Sequence, residues 1–226
     1  MRINYPSFLI LIVINVVVFM FQTSIPNLTA LIALNTDPNF FTPFMFITHM
    51  FAHSSFNHLF FNMFALFIFG NLLEGRIGTK RFLTIYFASG LLAGLIGYFI
   101  YDFALGASAA IMGIIGASII FFPNVVFLFF FVIPMKLWML GILYVLIDVF
   151  GLFYANSTAN LAHLIGMFFG LGYGYYLYDM RKKYLDKFMK NKREHDLKKQ
   201  KEIPDDVNKE IYVTYDEMDE YNKKML

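Results

Sequence analysis

Two serines lie in an apolar stretch of the chain where a hydroxyl group needs a reason to be present. Ser108 and Ser118 belong to the run 104–123, ALGASAAIMGIIGASIIFFP, which has no charged side chain. A serine becomes a nucleophile when a base accepts its proton, and histidine suits that task near neutral pH. Otherwise such serines are packing residues that hydrogen-bond to their own backbone. The choice depends on which serine lies at the depth of a histidine.

Composition identifies the chain as a membrane protein before any motif is considered. Of the 226 residues, 58% are hydrophobic, and the mean hydropathy is +0.59. About 20 apolar residues cross a bilayer as one helix, so this length accommodates six spans and a short tail. We therefore expect an all-α membrane protein: a six-helix transmembrane bundle over 1–180 and a charged tail over 181–226. The absence of cysteine excludes disulfides and thiolate metal sites.

Six apolar stretches follow one another along the chain. The predicted spans are 7–22, 56–73, 82–101, 104–123, 137–154 and 158–178. The connection 23–55 contains no Lys or Arg, is too apolar for an aqueous loop and is expected at the lipid interface, with a short helix in 27–35. A charged turn is expected at 74–81, while the boundary within 125–134 stays open.

Basic residues give the expected orientation. If the amino terminus is cytoplasmic, Arg2, the 74–81 turn, Lys136 and the tail all lie inside, and the outer connections carry no basic residue. Both termini are then cytoplasmic. The tail is expected to be a basic, solvated helix as far as Lys201 and acidic beyond it. Its charges do not alternate with aromatic residues as in a nucleic-acid site, so no nucleic-acid partner is expected.

This orientation places four polar side chains at one depth. The second, fourth and sixth spans run in the same direction, so His58, Asn62, Ser108 and His163 all lie near the outer boundary. Ser118 lies about 15 Å further inward at the helical rise. No histidine is expected there, so Ser118 is interpreted as a packing residue.

The shared depth predicts acyl-transfer chemistry. His163 is the base available to Ser108, and the small residues Gly166 and Gly170 allow the sixth span to approach the fourth closely. His58 and Asn62 are four residues apart, share a helix face, and are expected to donate hydrogen bonds to a developing oxyanion. For each of them alone, a hydrogen bond back to the outer loop stays an alternative.

One carboxylate stands apart from these residues. Asp148 lies in the fifth span, and an ionisable residue inside a membrane helix is by default a functional candidate. Two interpretations stay open: Asp148 faces a water-filled cavity, or it pairs within the helix bundle. We expect Asp148→Asn to change the rate or the stability.

Three segments together resemble the rhomboid family of intramembrane serine proteases, in its six-span bacterial form. They are HSSFNHLFFN at 53–62, GASAAIMGIIGA at 106–117 and AHLIG at 162–166, and the turn at 73–82 also resembles that family. The likeness covers residues 5 to about 178. It implies a multi-pass protein of the bacterial inner membrane, embedded in the lipid bilayer, whose substrates are single-span membrane proteins and which needs no cofactor. The oligomeric state is left undetermined.

The resemblance also implies roles for individual residues. Ser108 would be the nucleophile and His163 its general base, forming a dyad that works without a carboxylate. His58 and Asn62 would form the oxyanion hole together with the backbone N–H of Ser108. Gly106 precedes the nucleophile where the chain enters the helix.

The resemblance gives His53 a structural part near the outer loop.

Two differences from the family pattern lie in the span that contains Ser108. Ala109 replaces the glycine that follows the nucleophile in the family, and Met112 stands where many members have an aromatic ring. Ala109 supports one alternative function, a rhomboid-like protein that binds membrane clients without cutting them.

A third interpretation is a transporter with a metal site at His49, His53 and His58, of which the first two have i, i+4 spacing. No cysteine or nearby carboxylate completes such a ligand set. We expect no metal there, and we expect His49 and His53 to hydrogen-bond within the loop.

Overall fold

The computed structural model describes residues 6–129, 132–154 and 158–201, and this part of the chain is mainly helical. The α-helices are α1 (Ser7–Ser24), α2 (Leu28–Ile32), α3 (Met45–Thr48), α4 (Phe56–Ile77), α5 (Thr79–Gly97), α6 (Ser108–Phe121), α7 (Leu137–Tyr154) and α8 (Thr158–Lys201). A 3-10 turn occupies His49–Phe51. The strands are β1 (Leu34–Asn35), β2 (Phe103–Ala104), β3 (Val126–Phe129) and β4 (Ile133–Lys136).

Two of these helices, α1 and α4, are long and apolar enough to cross a membrane, and the apolar helices Ser108–Phe121 and Leu137–Phe153 are shorter. Large apolar side chains point outwards from the helices: Val13 is 60% exposed, Phe61 67% and Phe153 77%. Exposed apolar surface of this kind is rare on a soluble monomer. The helix surfaces therefore fit a lipid environment.

Helix α6 is the centre of the bundle, and every residue from Ala109 to Ser118 is buried. Helix α8 passes close to it: a β-carbon on Gly166 would overlap the carbonyl oxygen of Ala109, and one on Gly170 would overlap that of Gly113. Such backbone-to-backbone approach is what small residues allow in membrane helices. The close approach expected from Gly166 and Gly170 is confirmed.

The connection between α4 and α5 is shorter than the expected turn at 74–81. Helix α4 continues to Ile77, and Gly78, with a φ of 82°, is the one residue between the two helices. Glu74 therefore lies within α4 and is buried. Its carboxylate accepts hydrogen bonds from the backbone N–H and hydroxyl of Ser7, the N–H of Phe8 and the hydroxyl of Thr79. A negative group thus satisfies the first-turn donors of α1.

Three irregular connections contain short strands, which form two antiparallel pairs. β1 pairs antiparallel with β2 through Leu34 and Ala104, which ties the 23–55 segment to the loop before α6. The helix expected in 27–35 is shorter than expected and covers only Leu28–Ile32. β3 and β4 form an antiparallel ladder in the region whose boundary was open.

Helices α7 and α8 bear out two expectations. α7 has the expected bounds, and α8 continues as one helix through the start of the basic tail to Lys201. Contacts divide the chain into a unit Met1–Tyr178 and a unit Asp179–Leu226. The acidic end of the tail, 202–226, lies outside the described residues.

Candidate active site

Ser108 is the first residue of α6, and a glycine sets its position. Gly106 has a φ of 119°, and its N–H donates to the carbonyl of His49 over 2.8 Å. Most residues with a side chain are strained at that φ, whereas glycine is not. Because Ser108 begins the helix, its own N–H has no carbonyl acceptor one turn earlier. Ser108 lies on the wall of a cavity of about 480 Å³.

The same cavity collects the other predicted site residues. His58, Asn62 and His163 line it together with Ser108. They come from α4, α6 and α8, so three separate helices supply the polar wall. Their shared depth, expected from the sequence, is thus accompanied by a shared cavity in the structure.

His163 has a carboxylate partner. Its Nδ1 lies 3.0 Å from Oδ1 of Asp148, and both side chains are largely buried. Asp148 therefore pairs within the bundle, which was one of its two interpretations. The resemblance implied a base that works without a carboxylate, whereas here a carboxylate contacts the imidazole.

The imidazole of His163 and the hydroxyl of Ser108 are not hydrogen-bonded to each other in the described residues. Catalytic hydrogen bonds often form only when substrate is bound.

His58 presents its Nε2 edge to the loop that precedes Ser108. The backbone N–H of Ser54 points at His58 Nδ1 over 3.5 Å, and the Ser54 hydroxyl lies 3.1 Å from the same nitrogen. A backbone N–H can only donate, so Nδ1 is the acceptor and Nε2 carries the proton of the neutral ring. A β-carbon on Gly106 would lie 2.8 Å from Nε2 and 3.9 Å from Ser108 Oγ. His58 is thus oriented as a donor beside Ser108.

Asn62 is only partly free to donate. Its Nδ2 donates to the carbonyl of His58 over 2.9 Å, within α4. A side-chain amide has two hydrogens, so one remains for a ligand in the cavity. The alternative of a hydrogen bond back to the protein thus applies to one of its two hydrogens, and the acceptor is the helix and not the outer loop.

Ser118 and His49 have the local partners that were expected of packing residues. Ser118 is fully buried and donates to the carbonyl of Ile114 over 2.8 Å, which confirms its interpretation. His49 Nδ1 donates to the carbonyl of Met45 over 2.8 Å, although the residue also lines the cavity. Over the ranges that the structure describes, no group of three His, Asp or Glu side chains is placed to hold a metal ion.

His53 is buried against the loop and beside His58. Its N–H donates to Gln22 Oε1 over 3.1 Å, its Nδ1 donates to the carbonyl of Phe51 over 3.3 Å, and its ring centre lies 5.0 Å from that of His58. Burial, with a smaller contribution from the charge of His58, lowers the pKa of His53 from 6.5 to about 4. These contacts fit the structural part that the resemblance implied.

This pKa shift predicts a loss of stability in acid. The unfolded chain binds a proton at His53 below pH 6.5, whereas the folded protein does so only near pH 4. The stabilisation is therefore complete above pH 6.5 and is lost as the pH falls to 4, by about 3 kcal/mol at most. Melting in detergent between pH 7 and pH 4 should show a smaller decrease for His53→Gln than for wild type. His195→Gln, in the exposed tail, should behave like wild type; an identical decrease in all three proteins contradicts the prediction.

Two residues of the cavity region were missed by the sequence reasoning. Ser54 fixes the ring of His58, and Tyr144 lines the cavity one helical turn before Asp148. Ser54 lies four positions before His58, and Tyr144 lies four positions before Asp148. This i, i+4 spacing is the sequence signal that could have identified them. Neither serine nor tyrosine is unusual enough in such positions for spacing alone to single it out.

Comparison with known protein families agrees with the site. The model of the Rhomboid domain matches residues 41–180, which is more than half of the chain and includes every site residue described above. The chain belongs to the rhomboid family. Members of this family are membrane proteins and are generally serine intramembrane proteases. No curated protein matches the sequence.

Proposed function

We propose that this protein is an intramembrane serine endopeptidase, with Ser108 as nucleophile and His163 as general base. The observation that carries the proposal is the single cavity of about 480 Å³ lined by Ser108, His163, His58 and Asn62 in a chain of the rhomboid family. A nucleophile, a base and oxyanion donors at one cavity are the parts that acyl transfer requires.

The geometry supports a two-stage reaction. Nε2 of His163 takes the proton of Ser108 Oγ as that oxygen attacks the scissile carbonyl carbon. The imidazolium then gives the proton to the leaving amine as the peptide bond breaks. Water, activated by the same nitrogen, attacks the acyl-enzyme ester, releases the second product and restores the serine.

Three donors are placed for the oxyanion of the tetrahedral intermediate. They are Nε2–H of His58, the free N–H of Ser108 and the second amide hydrogen of Asn62. Donors fixed before the reaction stabilise the developing charge without reorganisation, and one such donor typically contributes a hundred- to thousandfold in rate.

The proposed substrates are single-span membrane proteins, reached from the lipid bilayer. In this arrangement α1, α4, α5, α6, α7 and α8 are the six spans, and both termini are cytoplasmic. The distribution of Lys and Arg supports that orientation. With this proposed orientation the cavity lies in the outer half of a bacterial inner membrane.

Fluorophosphonate labelling of the protein purified in detergent tests this function, with cleavage of a fluorescent single-span substrate measured in parallel. Ser108→Ala should lose labelling and cleavage, because it lacks the nucleophile, and His163→Ala should lose cleavage and keep only a small residual labelling rate, because it lacks the base. Ser118→Ala is the matched control on the same helix and should keep both. Labelling that survives in Ser108→Ala, or disappears in Ser118→Ala, contradicts the assignment.

A second candidate is a client-binding protein without proteolytic activity. Ala109, in the position after Ser108 where the family pattern has glycine, favours it. In that case folded wild-type protein neither labels nor cuts, and it retains an intact single-span peptide when the two are reconstituted together in proteoliposomes.

A further inference from the structure

The buried carboxylate of α7 has a role that the dyad leaves unassigned. We propose that Asp148 is a positioning residue for the general base, so that the site operates as a serine, histidine and aspartate in sequence. This inference rests on the proposed function and adds a residue to it. The carrying observation is the 3.0 Å contact between Asp148 Oδ1 and His163 Nδ1.

The contact determines which ring nitrogen of His163 carries the proton. In the proposed arrangement Asp148 is a carboxylate, which can only accept hydrogen bonds, and Nδ1 of His163 is the donor. The neutral ring then has its lone pair on Nε2, the nitrogen needed to take the proton of Ser108. The opposite tautomer would leave Nε2 protonated and unable to act as a base. Asp148 therefore selects the reactive form of the base.

The contact also places the negative charge of Asp148 beside the imidazolium that forms on His163 during the proposed reaction. Asp148 is 5% exposed and has no second hydrogen-bond partner in the part of the chain that the structure describes. Two further titratable groups interact electrostatically with the pair: Tyr144, one turn earlier on α7, with Asp148, and His58 on α4 with His163. A buried carboxylate with a single hydrogen bond and no Lys or Arg partner is costly, unless a positive charge forms beside it. That charge arises when His163 takes the proton of Ser108.

A purely structural role predicts a different result. If Asp148 only joined α7 to α8, its loss would lower the melting temperature and leave the kcat and the labelling rate of the folded protein unchanged. Glu74 offers a matched comparison, because it is also a buried carboxylate and its partners, at the starts of α1 and α5, lie outside the cavity. The two acids thus separate lost stability from lost catalysis.

The test compares Asp148→Asn with Glu74→Gln in the purified full-length protein, using fluorophosphonate labelling and the kcat and KM for a single-span substrate. Asp148→Asn should lower kcat and the labelling rate by about ten- to a thousandfold with KM changed less than about threefold, because orientation and charge act on the transition state. Glu74→Gln should lower the melting temperature and keep kcat. In a His163→Ala background, Asp148→Asn should change the residual labelling rate less than about twofold. The reason is that Asp148 acts on the reaction only through the imidazole of His163, which that background lacks.

A spectroscopic measurement needs no variant of Asp148 to fold. Histidine-selective ¹⁵N NMR, assigned by the resonance that disappears in His163→Ala, should show the neutral ring of His163 protonated at Nδ1. Protonation at Nε2 overturns the proposal.

Two kinetic outcomes have different meanings. If wild type labels and Asp148→Asn has the same kcat, the positioning role is overturned while the serine mechanism stands. If folded wild type fails to label at all, the proposed function fails, and the positioning role is overturned with it.

Discussion

Gly106→Ala is expected to lower cleavage by about a hundred- to thousandfold, as large an effect as the loss of one oxyanion donor. Two physical causes act together. The φ of 119° at Gly106 is one that alanine rarely adopts, and the added β-carbon would lie 2.8 Å from both Cε1 and Nε2 of His58. Either the loop or the imidazole must move, and both carry groups of the proposed oxyanion site. The measurement is kcat for a fluorescent single-span substrate, together with fluorophosphonate labelling.

Gly78→Ala is the control that separates these two causes. Gly78 also has a positive φ, of 82°, but a β-carbon there would meet no atom within 4 Å. It should cost about 1–3 kcal/mol of stability through backbone strain and leave kcat unchanged. If Gly106→Ala cleaves as fast as Gly78→Ala, the contact between Gly106 and His58 does not organise the site.

Gly170→Ala is expected to destabilise the protein by about 3 kcal/mol and to reduce cleavage as well. A β-carbon on Gly170 would overlap the carbonyl oxygen of Gly113, and backbone cannot move aside as the end of a flexible side chain does. The helices α6 and α8 must separate, and these helices carry Ser108 and His163. The measurements are the unfolding free energy in detergent and the labelling rate of the folded fraction.

Gly172→Ala, on the same helix, is the matched control. A β-carbon at Gly172 meets nothing within 4 Å, so the variant should be as stable as wild type or more stable by up to about 1 kcal/mol. Equal melting of the two alanine variants contradicts the prediction, because helix propensity alone treats both positions alike.

The sequence predicts those parts of the structure that depend on composition along one helix. The bounds of α7, the close approach of Gly166 and Gly170 to α6, and the local hydrogen bond of Ser118 are all of this kind. Each follows from hydropathy, from residue size or from the absence of a partner at the same depth. The bounds of α7 and the hydrogen bond of Ser118 do not depend on how one helix is rotated against another, whereas for Gly166 and Gly170 the small residues themselves mark the face of α8 that can approach α6.

Contacts that depend on helix rotation were beyond the sequence. Asp148 and His163 lie on different helices, and only the rotation of α7 and α8 about their axes brings Oδ1 to Nδ1. From the sequence, the Asn62 amide could donate to an oxyanion or to the outer loop. In the structure one of its hydrogens is donated to the carbonyl of His58, within α4. The end of α4 was expected at Leu73, because the charged residues that follow are typical of an aqueous turn. The start of α1 supplies the donors that allow Glu74 to stay helical and buried.

The contact between Glu74 and α1 also bears on how the protein is made. α1 lies outside the residues matched by the family model, yet its first-turn donors reach a carboxylate 67 positions later in the chain. A ribosome produces the amino terminus first, so α1 is synthesised before its capping group exists. Its first turn gains the carboxylate only after the whole of α4 has been synthesised. Complete ordering of the first helix is therefore a late event in biosynthesis, and a nascent chain that stops before Glu74 leaves that helix end uncapped.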